Sequence, residues 1–379
     1  MAPPQNVRRL SIVKCPKCHR FYPGEYAFCP YDGSAVVERI DPGTLRSDPT
    51  SISDKVFAGR YRIRGFVGKG AMARVYLAED ERTGQPVAIK VLEPPYRSDP
   101  NVRERFHREA RAASLIGHPS IVRVFSEGER EEDGAPFIVM EFLVGETLGD
   151  YIRREGPMPV DLAISALKQA ASALAATHAV GIVHRDIKPD NLFLLGEPGD
   201  PYELKVVDFG LSREPASSLT AAGVIMGTPS TMAPEQILGE GVDGRTDVYA
   251  LGMVMYATLT GADPFSPVPT SRPSLASKLR SEDNEDGVAT LAHHLFTQPT
   301  LPSVYRPDLD ARLERIILTA IRKNPAERYQ SMDDLIAALE IWERPGMTLP
   351  EPLPPDEPYP PSSTIGTLVK ANLGRAIGL

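Results

Sequence analysis

The sequence lacks any run of 18 or more apolar residues, and its N-terminus has no apolar core of a signal peptide. Neither a membrane span nor secretion is therefore expected. The sequence also lacks a block of lysines and arginines, and its net charge at pH 7 is -8. A nucleic acid or an anionic membrane needs a basic face, so neither is expected as a partner. We expect a cytoplasmic protein.

Cysteine is also scarce, because the 379 residues include only three cysteines, all in the first 30 residues. Three cysteines do not form a disulfide framework. Cys15 and Cys18 form a Cys-x-x-Cys turn, and Cys29 begins a second turn in which Asp32 replaces the last cysteine. Two such turns are typical of a zinc ribbon, with Asp32, His19 or a water as the fourth ligand. The alternative is a metal-free turn with buried thiols.

Residues 1–40 are predicted to form this zinc-ribbon-like module, because a segment with so few apolar side chains does not fold without a metal. A closed zinc site would serve to bind a protein partner or to position the rest of the chain. Residues 41–56 contain mostly Pro, Gly, Ser, Thr and Asp, which predicts a flexible linker. Residues 344–379 are predicted to form an extended, proline-rich tail.

Residues 61–90 alternate apolar and turn residues, which predicts three antiparallel strands. Gly68 and Gly70 lie in the first hairpin, where backbone amides could approach phosphate groups. The third strand ends in Val-Ala-Ile-Lys, and the ammonium group of Lys90 could reach the same phosphates.

A helix is predicted over residues 101–116. Its apolar residues are expected largely on one face: Val102, Phe106, Ala110, Ala113 and Leu115. Glu109 lies among them, and its spacing from Arg105 allows an i,i+4 surface pair. Further on, residues 137–143 predict an apolar strand, and the alanine-rich residues 162–178 predict a core helix.

Residues 184–191 read His-Arg-Asp-Ile-Lys-Pro-Asp-Asn, and a predicted hairpin after them returns the chain to Asp208-Phe209-Gly210 beside Asn191. Together with the glycine hairpin, Val-Ala-Ile-Lys and Ala233-Pro234-Glu235, this order of motifs resembles that of the serine/threonine protein kinases over roughly residues 57–342. One departure is Ala73, which stands in place of the third glycine of the family's glycine-rich loop.

The resemblance implies an α+β, two-lobed protein-kinase-like fold after the zinc-ribbon-like module. The kinase domain would span residues 57–343, with a small antiparallel-sheet N-lobe at 57–143 and a mainly helical C-lobe at 144–343. An insert rich in Pro, Ser and acidic residues is expected at 266–287.

The resemblance implies that Asp186 orients a substrate hydroxyl and accepts its proton, while Lys188 neutralises phosphate charge. Lys90, held by Glu109, would bind the phosphates of ATP, and Asn191 and Asp208 would bind Mg²⁺. The residues implied to contact the nucleotide are Val67, Gly68, Gly70, Val75, Ala88, Lys90, Glu141 and Leu143.

An activation segment is implied between Asp208-Phe209-Gly210 and Ala233-Pro234-Glu235. Thr220 is the predicted autophosphorylation site, and its phosphate would pair with Arg185. Thr228 would shape the substrate site. Structural roles are implied for Arg185, Glu235, Asp247 and Arg328: Asp247 would bond the backbone of residues 184–191, which the resemblance makes the catalytic loop, and Arg328 would pair with Glu235.

The expected function is transfer of the γ-phosphate of ATP to protein hydroxyls, with ATP and Mg²⁺ as cofactors. A catalytically inactive, nucleotide-binding scaffold with the same fold is the alternative. Such scaffolds usually lose the lysine, the catalytic aspartate or the metal aspartate, whereas Lys90, Asp186 and Asp208 are all present. A small-molecule kinase is disfavoured by the full activation segment.

Overall fold

The chain divides into two compact units: unit 1 comprises Met1–Glu146 and Phe193–Lys205, and unit 2 comprises Thr147–Leu192 and Val206–Leu379. Of the helices that are described, none is long and apolar enough to cross a membrane. The computed structural model describes residues 12–15, 21–23, 28–29, 34–35, 38–39, 56–70, 72–196, 201–208, 229–265, 284–344 and 346–347.

Three short strands near the N-terminus form an antiparallel sheet in the order β2–β1–β3. They are β1 (Ile12–Lys14), β2 (Phe21–Pro23) and β3 (Glu38–Arg39). The Cys15 residue that follows β1 is buried, as is Cys29. Cys18, His19 and Asp32 lie outside the described residues.

A six-stranded antiparallel sheet in the order β4–β5–β6–β7–β9–β8 forms most of the described part of unit 1. The three strands predicted over residues 61–90 are β5, β6 and β7, and the strand predicted over residues 137–143 is β9. Val56 belongs to β4, whereas the sequence placed it in the linker. A two-residue strand is too short to show the alternating pattern from which strands are predicted. The strands are β4 (Val56–Phe57), β5 (Tyr61–Lys69), β6 (Ala73–Asp80), β7 (Pro86–Leu92), β8 (Val124–Glu129) and β9 (Pro136–Glu141).

Strand β7 shows how this sheet presents its two faces. Successive side chains of a strand point to opposite faces, so Ile89 and Val91 enter one buried core cluster. Lys90 and Leu92 point to the other face, where Leu92 packs with Phe106 of the following helix. The same alternation that buries the core therefore turns Lys90 toward a helix.

That helix is α2 (Pro100–Leu115), which follows the short α1 (Pro94–Arg97). The side chain of Asp99 caps α2 by accepting a hydrogen bond from the Asn101 N–H at 2.9 Å. The prediction that Leu115 shares the apolar face is wrong, because its side chain is 75% exposed. At 3.6 residues per turn, Leu115 lies about 140° around the helix axis from Val102.

A second three-stranded sheet has the order β10–β11–β12. Its strands are β10 (Gly145–Thr147), β11 (Leu192–Leu195) and β12 (Glu203–Val206). The predicted hairpin corresponds to the neighbouring strands β11 and β12. Beyond β12, the Val207 N–H donates to the Asn191 carbonyl at 2.9 Å, which returns the chain to the residue before β11.

The described part of unit 2 is mainly helical, and Leu167, Leu174 and Leu251 are completely buried in its core. Residues 284–287, which were counted in the insert expected over residues 266–287, belong to α7; their polar sequence concealed the start of the helix. Residues 266–283 lie outside the described part. The helices are α3 (Leu148–Glu155), α4 (Val160–Ala179), α5 (Pro234–Leu238), α6 (Gly244–Thr260), α7 (Asn284–Phe296), α8 (Pro302–Tyr305), α9 (Ala311–Ala320) and α10 (Met332–Glu343).

Candidate active site

Lys90 and Glu109 form an ion pair within unit 1. The Lys90 Nζ atom lies 2.9 Å from Glu109 Oε1, and the two side chains are 11% and 12% exposed. Strand β7 turns Lys90 toward α2, and the packing of Phe106 against the sheet places Glu109 one turn further along the helix. The contact between Lys90 and Glu109 that was expected from the sequence is present in the structure.

The glycine hairpin joins β5 to β6, with the Gly70 N–H donating to the Ala73 carbonyl at 2.8 Å. A Cβ atom at Gly68 would meet no atom within 4 Å, and one at Gly70 would make only an ordinary contact. Packing of the described residues therefore does not demand glycine at either position. The open space at Gly68 leaves its backbone accessible to a ligand such as a nucleotide phosphate.

The other residues expected to contact a nucleotide lie on this sheet or just beyond it. Val67 and Val75 are half-buried on β5 and β6, and Ala88 is buried on β7, on the same face as Lys90. Glu141 ends β9, and Leu143 follows it. The side chain of Glu141 is held at Oε1 by Lys205 Nζ at 2.9 Å and by the Arg123 N–H at 2.7 Å.

Asp247 anchors the backbone of the catalytic loop in unit 2. Its carboxylate is completely buried on α6. It accepts the His184 N–H at Oδ2 and the Arg185 N–H at Oδ1, both at 2.8 Å, and its Oδ2 lies 2.8 Å from His178 Nε2. A buried carboxylate is stable only when such hydrogen bonds replace its hydration. Asp247 therefore fixes the loop at two successive amides.

Arg185 has a φ of +67°, in the left-handed region that side chains rarely adopt. Both of its backbone polar groups are held, the N–H by Asp247 and the carbonyl by Gln236 Nε2 at 3.1 Å. Burial lowers the pKa of the neighbouring His184, so the ring is neutral. Its Nδ1 accepts the Asp186 N–H at 3.3 Å. Surrounding hydrogen bonds thus impose the backbone turn that presents Asp186.

Asp186, Lys188 and Asn191 are close together at the end of this loop. Lys188 Nζ lies 3.3 Å from Asp186 Oδ2. Asn191 Nδ2 donates to the Asp186 carbonyl at 2.8 Å and to Oδ2 at 3.3 Å. Two donors therefore contact the same carboxylate oxygen and fix the position of the Asp186 side chain.

Asp208 is exposed, with a φ of +54°, two residues after β12. Val207 immediately precedes Asp208, and its backbone hydrogen bond to Asn191 brings the chain at Asp208 beside Asn191. A carboxylate and an amide are hard oxygen donors, the kind that Mg²⁺ prefers, so the donor set fits this ion. Asn191 already uses its Nδ2 within the loop, which is compatible with its amide oxygen serving as a ligand.

Glu235 and Arg328 form a bidentate ion pair, with both N–O distances at 2.8 Å. Their side chains are 3% and 0% exposed. Thr246 also donates to Glu235 Oε1 at 2.7 Å. This pair fixes α5, which begins directly after the activation segment. Thr220 and Thr228, like Phe209 and Gly210, lie outside the described residues.

Several positioning contacts escaped the sequence reasoning. His178 and Gln236 support the catalytic loop, and Lys205 holds Glu141. None of these residues belongs to a recognisable motif. A signal exists only for His178, since a polar residue in the last turn of an apolar helix, six residues before the loop, is a candidate for a buried hydrogen bond.

A curled sheet carrying a lysine–glutamate pair and a helical unit carrying this loop define the class of protein kinases. Comparison with known families matches residues 61–337 to the protein kinase domain. The chain therefore belongs to the protein kinase family.

Its relatives include bacterial serine/threonine kinases. It is 39% identical over 338 residues to the serine/threonine-protein kinase Pkn1 of Myxococcus xanthus, covering 86% of this chain and 45% of the relative. It is 36% identical over 296 residues to PknB of Mycobacterium tuberculosis, covering 77% of this chain and 43% of PknB. The chain thus spans less than half the length of these two relatives.

Among solved structures, the kinase domain of PknI from Mycobacterium tuberculosis is similar, with a TM-score of 0.56 and 30% identity. The match covers 76% of this chain and 97% of that domain. The similarity agrees with the protein kinase fold.

Proposed function

We propose that this chain is a serine/threonine protein kinase that transfers the γ-phosphate of ATP to protein hydroxyls and to its own activation segment. The observation that carries the proposal is the cluster at the end of the catalytic loop, where Lys188 and Asn191 contact one oxygen of Asp186. The lysine two positions after the aspartate favours serine and threonine over tyrosine as acceptors. The named relatives of this chain are also serine/threonine kinases.

Asp186 would hold the acceptor hydroxyl and take its proton, and the contacts of Lys188 and Asn191 with its Oδ2 keep the carboxylate in position. Lys188 would then shift from Asp186 toward the negative charge of the phosphoryl group. Mg²⁺, when bound by Asn191 and Asp208, supplies charge neutralisation between phosphates. In unit 1, Glu109 would keep Lys90 extended for phosphate binding. An inactive scaffold would not need Asp186.

The base of the nucleotide would bond backbone groups near the end of β9. The Glu141 N–H already donates to the Arg123 carbonyl at 2.9 Å, which supports the Glu141 carbonyl as the acceptor. The donor role falls to Leu143. Val67, Val75 and Ala88 would supply the apolar contacts, and the Gly68 and Gly70 backbone would meet the phosphates.

The test is transfer of labelled phosphate from ATP to the chain itself and to casein. Asp186→Ala should lower the transfer rate on the order of 10²- to 10⁴-fold. Asp308→Ala is the matched control, because Asp308 is 81% exposed and far in sequence from the loop. Phosphoserine and phosphothreonine are the expected products, with Thr220 the first site by mass spectrometry and Arg185 its partner. ATP binding without transfer by the wild-type chain would support the scaffold instead.

The N-terminal residues 1–40 are proposed to form a zinc module for a protein partner, joined by the linker at 41–56 to the kinase domain at 57–343. Support comes from Ser34, which contacts both buried cysteines: its Oγ lies 3.2 Å from Cys15 Sγ, and its carbonyl accepts the Cys29 N–H at 2.8 Å. Within the described ranges no group of three candidate ligands is assembled, and Cys18, His19 and Asp32 lie outside them. An ATP-dependent reaction favours a cytoplasmic location.

Metal analysis of the purified chain tests the module. Close to one zinc per chain is expected, falling to background in Cys29→Ser. Phosphate transfer should be unchanged, because the module lies outside the matched kinase domain. Background zinc in the wild-type chain would favour the metal-free turn.

A further inference from the structure

Two cations lie directly opposite each other at the end of the glycine hairpin. Lys69, the last residue of β5, pairs in register with Arg74 of β6. Like charges at directly opposed positions of antiparallel strands repel each other. The hairpin turn with Gly70 follows immediately. The repulsion therefore acts next to the backbone amides of Gly68 and Gly70.

The carboxylate of Glu93 relieves this repulsion. Glu93 Oε2 lies 2.8 Å from Lys69 Nζ, and Oε1 lies 2.5 Å from Arg74 Nε. Glu93 is 7% exposed, whereas the Lys69 side chain is 56% exposed. The hydrogen bond from Lys69, with that from Arg74, lowers the pKa of Glu93 despite its burial. One charged carboxylate therefore bridges the two strands.

The backbone of Glu93 is fixed on both sides. Its N–H donates to the Met72 carbonyl at 2.9 Å, and its own carbonyl accepts the Tyr96 and Arg97 N–H groups at 3.0 and 3.2 Å at the start of α1. It also follows β7 directly, three residues after Lys90. The carboxylate thus has a defined position relative to Lys90.

We propose that Glu93 is a positioning residue for nucleotide binding, which joins Lys69 to Arg74 and so sets where the Gly68 and Gly70 amides meet the phosphates. This role rests on the proposed nucleotide site but not on phosphate transfer. Without the carboxylate, the two cations separate and the hairpin loses the conformation that binds phosphate. Affinity for the nucleotide then falls, while the chemical step on bound nucleotide is unaffected.

The test is binding of the fluorescent analogue TNP-ATP to the full chain. Glu93→Gln keeps the side-chain shape but removes the charge, and it should weaken binding about three- to tenfold. The KM for ATP should rise by the same factor, with kcat unchanged. Glu79→Gln is the matched control, because Glu79 pairs with Arg64 in the same hairpin at 2.7 Å, further from the turn. It should bind like the wild-type chain.

A charge exchange separates bridging from a general loss of structure. Arg74→Glu alone brings a second carboxylate against Glu93 and should weaken binding. Combined with Glu93→Arg, it again places one carboxylate between two cations, and binding should return close to the wild-type value.

Because Lys69→Ala removes one of the two opposed cations, Glu93→Gln should weaken TNP-ATP binding less in a Lys69→Ala background than in the wild-type chain. Unchanged binding in Glu93→Gln, or a double exchange no better than Arg74→Glu, would overturn the role of Glu93 alone. Absence of TNP-ATP binding by the wild-type chain would overturn both this role and the proposed nucleotide site.

Discussion

The two units place the charged residues of the candidate active site in different surroundings. In unit 1, the Lys90, Glu109 and Lys69 side chains keep 11%, 12% and 56% of their surface exposed. In unit 2, Asp247 is fully buried, and Arg328 is 0% exposed. The exposed Lys69 can exchange partners with a charged ligand at little cost, whereas fully buried charges such as Asp247 and Arg328 need permanent partners. Unit 1 is suited to respond to phosphate and unit 2 to fix a loop.

The buried charge of Arg328 in unit 2 is stable because every hydrogen-bonding position of its guanidinium is used. Beyond Glu235, the Arg328 guanidinium donates to three backbone carbonyls, those of Arg322, Lys323 and Arg245, at 2.6, 2.8 and 3.0 Å. Removal of one partner leaves several groups buried without compensation. The comparison therefore predicts large effects at buried charges of unit 2 and small effects at its exposed charges.

The largest effect is expected for Arg328→Ala, which leaves Glu235 charged and buried. The free energy of unfolding should fall by about 3–5 kcal/mol. Trp342 is the single tryptophan of the chain and lies on α10 in unit 2, so its fluorescence during urea unfolding reports on this unit.

Arg245→Ala is the control for Arg328→Ala, because Arg245 pairs with the exposed Asp243 at 2.6 Å. It should cost less than about 1 kcal/mol. Equal shifts in the two variants would show that burial does not distinguish these charges.

Asp247→Asn comes next, because the amide replaces one acceptor of the carboxylate by an NH₂ group facing backbone donors. A loss of about 1–3 kcal/mol is expected from the buried donors left without an acceptor. Phosphate transfer should fall more than TNP-ATP binding, since the catalytic loop is in unit 2 and the glycine hairpin in unit 1. A parallel loss of both activities would contradict a local role.

The sequence predicted the elements with a long periodic pattern and the contacts between residues of known motifs. The strands from Tyr61 to Leu92, helix α4 and the Lys90–Glu109 and Glu235–Arg328 contacts were all expected, while the roles of these residues stay predictions. The start of α7 and the exposure of Leu115 were not expected, because the ends of helices depend on packing. His178 and Glu93 escaped notice because their partners are distant in sequence and follow no pattern.

Buried His294 gives a pH effect of intermediate size. Burial lowers its pKa to about 3, and Lys323, whose Nζ donates to the His294 carbonyl at 2.8 Å, acts in the same direction. The Tyr249 hydroxyl lies 2.7 Å from Nδ1 of the neutral ring. Below about pH 6.5 the unfolded histidine binds a proton and the folded one does not, so stability is lost as pH falls.

The slope should be about 1.4 kcal/mol per pH unit between roughly pH 6 and 4, with His184 adding a change of the same sign. Urea unfolding of His294→Gln at several pH values should show a shallower slope than the wild-type chain. His293→Gln, on the exposed side of the same helix, is the control. An unchanged slope in His294→Gln would mean that this histidine is not held neutral.

The smallest effect is expected at the pair between Lys168 of α4 and Glu343 of α10, whose side chains are 25% and 42% exposed at a distance of 2.8 Å. Lys168→Ala should lower the free energy of unfolding by only about 0.2–1 kcal/mol, and less in about 1 M salt. This pair joins two helices of unit 2, as Arg328 joins α5 to the residues before α10, but it is exposed and consists of a single contact. A loss as large as that of Arg328→Ala would mean that connectivity between helices, not desolvation, makes the charges of unit 2 important.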